Sequence, residues 1–109
     1  MKLAAENNCQ EIVKFLLAHK GTKIDDYCFC NCASLKAVII PSSVTTIGKC
    51  AFKNCTCLEE ITFEEPSSLT TIEEESFEGC RYLTEVSIPP SVTSIKKDAF
   101  KGCSFWLPC

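Results

Sequence analysis

The sequence predicts a repeat solenoid: short parallel β-strands on each rung, stacked around one shared core. Three observations carry this. Phe29, Phe52, Phe77 and Phe100 are spaced 23, 25 and 23 residues apart, and Cys32, Cys55, Cys80 and Cys103 keep the same spacing. Leu35, Leu58 and Leu83 follow in register with Trp106 in the fourth slot, while Ile24, Ile47, Ile72 and Ile95 each lie five residues before a Phe. The single 25 comes from a two-residue insertion, "FEEPSSL" standing where the other units have "IPSSV" and "IPPSV". A fixed period in the twenties marks units that cannot bury their own apolar face and must share a core with their neighbours.

Each element of the unit has a local reason. "LKAVII", "LEEITF" and "LTEVSI" share the pattern L-x-x-[VI]-x-[IF]. Its alternation of apolar and polar residues, rich in β-branched side chains, predicts a short strand with one buried face. Proline and serine then break the strand. "SVTTI", "SLTTI" and "SVTSI" alternate again and predict a second short strand. "GKCAF", "EEESF" and "KKDAF" carry the aromatic into the core on a turn or a single helical turn, and "KNC" and "EGC" lead to the next strand.

The recurring L-x-x-V-x-I-P-x-S-V-T-x-I-x-x-x-A-F-x-x-C resembles the BspA-like leucine-rich repeat, over roughly residues 22–106. The resemblance implies a curved solenoid with parallel strands on one face, and a role in adhesion or protein recognition rather than catalysis. The first 25 residues differ. "LAAENNCQEIVKFLLAHKGTKID" resembles the back half of an ankyrin repeat, with Ala4 and Ala5 on a first helix. Ile12, Val13, Leu16 and Leu17 form the buried stripe of a second. The usual opening is cut to Met1 and Lys2, Asn8 stands where glycine is usual, and one extra residue lies in "AHKGTKID". The expected organisation is a partial ankyrin-like helical pair over 1–24, capping leucine-rich repeats over 25–109 whose last unit is truncated. A remnant of a longer ankyrin array, or a chimera, is the alternative.

Ten cysteines in 109 residues suggest a disulfide scaffold, free thiols or metal. Position narrows this. The ladder Cys32, Cys55, Cys80 and Cys103 is expected to be buried and reduced, because free cysteine packs as a small hydrophobe. In "YCFCNC", Cys28 occupies the slot of Ala51, Ser76 and Ala99 and is expected to be buried. Cys30 occupies that of Lys53, Glu78 and Lys101 and is expected to face solvent. Cys9, Cys50, Cys57 and Cys109 follow no period. Their C-x-C neighbourhoods lack zinc-ligand spacing, and His19 is the only histidine. A disulfide between Cys28 and Cys50 on adjacent rungs is the pairing to look for.

Other chemistry is excluded more simply. A net charge of −3 with a pI near 5.1 gives no footprint for nucleic acid. No apolar run approaches the roughly 20 residues of a membrane span. The opening "MKLAAENNCQE" turns polar after one lysine and does not read as a secretory leader. Eight glutamates between Glu59 and Glu78 read as a solvated face, since no D-x-D-x-D-G loop offers calcium ligands. No metal, cofactor or catalytic constellation is expected, so the chain does not read as an enzyme.

Two functions follow. The first is a non-catalytic scaffold that binds a protein through the outward positions of L-x-x-V-x-I. These are Lys36, Ala37 and Ile39 on one rung, Glu59, Glu60 and Thr62 on the next, and Thr84, Glu85 and Ser87 on the third. The acidic middle rung points to a basic partner. The second is an adhesin-type or structural piece of a larger array, self-associating through a C-terminal end that carries Phe105, Trp106 and Leu107. A leaderless, thiol-rich chain is expected in the cytoplasm; the family resemblance suggests the cell surface instead.

Overall fold

The structure, a computed structural model, describes residues 22–104. Its strands are β1 (Lys23–Ile24), β2 (Ala37–Ile40), β3 (Thr46–Ile47), β4 (Glu60–Phe63), β5 (Thr71–Ile72) and β6 (Ser94–Ile95). They form two parallel sheets, one ordered β1-β3-β5-β6 and one pairing β2 with β4. Register follows the sequence repeat: Ile24 lies beside Ile47, Ile47 beside Ile72 and Ile72 beside Ile95. In the second sheet Val38 lies beside Ile61 and Ile40 beside Phe63. Each rung therefore has three sides: a longer strand, a two-residue strand and a run of turns.

The turns exist because each rung places two residues in the left-handed region. Asn31, Asn54, Gly79 and Gly102 hold one such position in successive rungs, with φ of 66°, 63°, 82° and 85°. Asparagine and glycine suit it. Tyr27, Cys50, Glu75 and Asp98 hold the other, at φ of 57–61°, where a side chain costs on the order of 1 kcal/mol each. The rungs offset that strain by bonding to one another. The Phe29, Phe52 and Phe77 amides donate to the carbonyls of Ala51, Ser76 and Ala99 at 2.7, 2.7 and 2.8 Å, with flanking amides doing the same.

Inside, the four phenylalanines stack. Ring centroids are 5.2 Å apart for Phe29 and Phe52, 5.0 Å for Phe52 and Phe77, and 5.3 Å for Phe77 and Phe100. Leu35, Leu58 and Leu83 are fully buried beside the Ile24, Ile47 and Ile72 column. The cysteine ladder Cys32, Cys55, Cys80 and Cys103 is buried too.

Among the repeat strands, the structure departs from the sequence reading at one. "LTEVSI" carries the strand pattern, yet Thr84–Ile88 forms no strand. A strand needs a partner as well as a pattern. On the rung below, Glu59 and Glu64 donate to the Lys36 and Ile40 carbonyls at 2.8 and 2.9 Å. On the third rung Pro89 stands in the slot of Glu64, and proline has no N–H to give. The two-residue insertion after Phe63 also lengthens the path between β4 and β5 at this level. The third rung keeps only β6.

Two expectations fall outside the described residues: the ankyrin-like helical pair over 1–24, except its last three residues, and the apolar end Phe105, Trp106 and Leu107. Those last three residues hold β1 instead of a helix, and no helix occurs among the described residues.

Adjacent core residues should respond in opposite directions. Phe77→Ala should cost ~3–5 kcal/mol by removing the middle of the stack. Ser76 is fully buried with an unpartnered hydroxyl, in a slot filled by Ala51 and Ala99 on neighbouring rungs. Ser76→Ala should therefore stabilise by about 1 kcal/mol. Urea melts of both variants check this; a Phe77→Ala protein that melts like the parent contradicts the register.

Candidate partner-binding face

β2 and β4 alternate strictly. Val38, Ile40, Ile61 and Phe63 point into the core, while Glu60 and Thr62 are exposed and Ala37 and Ile39 half-buried. Within the two strands, the period-two reading of L-x-x-V-x-I thus puts Ala37, Ile39, Glu60 and Thr62 on the outward face. The structure then divides the nine. Glu59, Glu60, Thr62, Thr84, Glu85 and Ser87 surround one hollow of about 920 Å³, whereas Lys36, Ala37 and Ile39 lie on the β2 rung beyond it. The hollow occupies the place where a third paired strand would close the sheet.

Six further residues line it, Ser104 among them, and two of the six are positions the repeat pattern expects to be buried. Ile61 and Phe63 form its floor, and Arg81 and Tyr82 stand at one end. Tyr82 is 59% exposed, large for an aromatic ring. Arg81 and Tyr82 were legible only as the non-repeating pair between Cys80 and Leu83. Glu65, from the insertion, contributes at the other end. The lining holds four carboxylates, from Glu59, Glu60, Glu65 and Glu85, against the one guanidinium of Arg81.

The glutamate cluster therefore does not form one solvated face. Its second half lies on the turn side, where Glu75 is 3.0 Å from the Lys53 ammonium and Glu74 3.9 Å from that of Lys49. The Lys53 ammonium, by a direct hydrogen bond, holds the Glu75 carboxyl below the usual carboxylate range. Cys50 donates to the same carboxylate at 3.6 Å. These contacts pin the strained left-handed turns of Cys50 and Glu75.

The ladder thiols have a specific task. Cys55 donates to the Phe29 carbonyl at 3.2 Å, Cys80 to that of Phe52 at 3.3 Å and Cys103 to that of Phe77 at 3.3 Å. The neighbouring Cys103 thiol, with burial, pushes the Cys80 thiol far up, so it remains the protonated donor. Cys28 and Cys30 are both half-buried, less buried and more buried than their slots implied. Cys28 sits on the first described rung, and burial, helped by the Asp25 carboxylate, raises its thiol to about 11. None of the eight described cysteines is in a disulfide, including the Cys28 and Cys50 pair. No group of three or more His, Cys, Asp or Glu among the described residues is placed to hold a metal ion. No helix among the described residues is long and apolar enough to cross a membrane.

Comparison with known proteins bears on the repeat fold. The family model described as the BspA type leucine rich repeat region matches residues 4–106 in six copies. It takes in most of the segment expected to be ankyrin-like, and the comparisons give that cap no support. A leucine rich cell surface protein from Faecalibacterium prausnitzii is similar, with 38% identity and a TM-score of 0.73 over 80% of this chain and 22% of that one. So is a leucine-rich repeat protein from Bacteroides ovatus, with 36% identity and a TM-score of 0.70 over 78% and 22%. The pneumococcal vaccine antigen PcpA gives 29% and 0.67 over 74% and 20%. The chain thus spans about a fifth of the length of each of these three. No curated protein matches.

The thiols should sort by position. Among the described cysteines, with a small alkylating reagent at pH 8, half-buried Cys30 and Cys57 should label first, and Cys80 and Cys103 only on unfolding. Labelling of Cys28 should accelerate about tenfold per pH unit towards 11, as its thiolate fraction grows. Mass spectrometry of the digested protein reads the order; Cys80 reacting as fast as Cys57 in the folded chain contradicts the ladder.

Proposed function

Because the chain belongs to the BspA type leucine rich repeat family, we propose that it is a non-catalytic recognition module of an adhesin-type surface protein. It captures a protein partner on the outward face of β2, β4 and the third rung. Residues 25–109 are the recognition array in this reading, and Lys36, Ala37 and Ile39 extend the contact surface beyond the hollow.

The observation that carries this is the hollow itself: six outward repeat residues around one acidic depression, with an exposed tyrosine at its edge. Interfaces favour tyrosine and arginine anchors, and Tyr82 and Arg81 sit side by side there. The excess of carboxylates favours a basic partner, since charge complementarity raises the encounter rate and rejects acidic competitors.

The cytoplasmic placement expected from the sequence gives way to the surface alternative. The similar protein from F. prausnitzii is a cell surface protein.

The test is a panel of immobilised proteins graded by isoelectric point. Binding should concentrate on the basic members and weaken with salt. The double variant Glu59→Lys, Glu60→Lys should lose at least about tenfold in affinity, as loss of two favourable charges and gain of two repulsive ones requires. Lys101→Glu, on the turn side, should change nothing. Binding that ignores the double variant removes this face as the site.

A further inference from the structure

Resting on that reading, we infer that the hollow takes an extended peptide segment of the partner, alternating aliphatic and basic residues, which adds as a strand to the open edge of β4.

The edge is open for a reason written in the backbone. Alternate residues of a strand send their amide and carbonyl to opposite sides. The Lys36 carbonyl accepts from both Glu59 and Glu60 where β4 begins, and the Ile40 carbonyl from Glu64; within β4 the parallel register turns Glu60 and Thr62 towards β2, so Ile61 and Phe63 face the other way. Among the described residues neither Ile61 nor Phe63 exchanges a backbone hydrogen bond with the third rung. Both line the hollow. Pro89, which lacks an N–H, prevents the third rung from closing the ladder at its far end. The site is thus a gap left in a sheet, with unmet donors and acceptors along one side. Such edges recruit extended peptides through main-chain bonds, and the pockets beside them select alternate side chains.

The surroundings specify those side chains. Inward positions of an added strand would meet Ile61 and Phe63, with half-buried Val86 and Ile88 nearby, so they call for Val or Ile. Outward positions would meet Glu60 and Glu85, so they call for Lys or Arg. A divalent cation is a poor occupant because no three acidic, histidine or cysteine groups converge among the described residues.

The experiment uses the full chain and a fluorescein-labelled, end-blocked heptapeptide of alternating lysine and valine, read by anisotropy. Two companions carry the same side chains, one N-methylated at every lysine amide and one at every valine amide. A fourth has the same composition in shuffled order. The parent peptide should bind and slow hydrogen exchange at the Ile61 and Phe63 amides. One N-methylated companion should bind at least about tenfold more weakly than the other, because only one edge of the peptide meets β4. The shuffled peptide should also be weaker. If all four bind alike and salt weakens them equally, strand addition is overturned while the basic-partner reading keeps its own panel test. If none binds, or if binding leaves Ile61 and Phe63 exchange unchanged, the inference is likewise overturned.

Discussion

The carbonyl oxygens of Phe29, Phe52 and Phe77 each accept two hydrogen bonds, one from the cysteine amide three residues on and one from the cysteine thiol of the next rung. That doubled acceptor ties the inside of a rung to its neighbour at the point where the aromatic ring enters the core. It accounts for phenylalanine and cysteine recurring together. The ring sets the stacking distance, and the thiol is small enough to sit beneath the preceding turn while still donating. Stacked rings contribute about 0.5–1.5 kcal/mol per pair beyond their burial. In so short an array the steps between rungs, more than the rungs themselves, hold the structure.

The same rung-by-rung logic produces the hollow. Two ladders continue without interruption: the turn side through Phe100, and the short-strand side through β6. With those intact, the longer strand on the third rung can be omitted without collapse. Pro89 and the two inserted residues after Phe63 act where that strand would have paired. The cost is an unpaired edge, and its acidic rim discourages edge-to-edge association between copies of this chain. A stable scaffold and a receptive gap are thus built from one repeat.

The periodic parts of the fold were legible because repetition removes ambiguity: Phe, Cys, Leu and Ile columns align without any knowledge of the backbone. The outward residues of β2 and β4 were legible for a similar reason, since period two fixes the face of a strand. What failed was non-local. Thr84–Ile88 has the right pattern, and only its missing partner bonds deny it a strand. The donor role of Cys80 was hidden, because a small buried slot reads equally well as alanine. Tyr27, Cys50 and Glu75 gave no hint of left-handed backbone, since none of these residue types favours it, whereas Asn54 and Gly79 did. Arg81, Tyr82 and Glu65 escaped notice because they belong to no column.

The central claim is that neighbouring rungs are coupled through the phenylalanine stack. The most direct measurement is a pair of double-mutant cycles by urea denaturation, using phenylalanine-to-leucine changes. Phe52 with Phe77, whose rings are 5.0 Å apart, should show a coupling of about 0.5–1.5 kcal/mol. Phe29 with Phe77, two rungs apart, should be additive within roughly 0.5 kcal/mol. Equal coupling in the two cycles, or none in the first, would contradict the account.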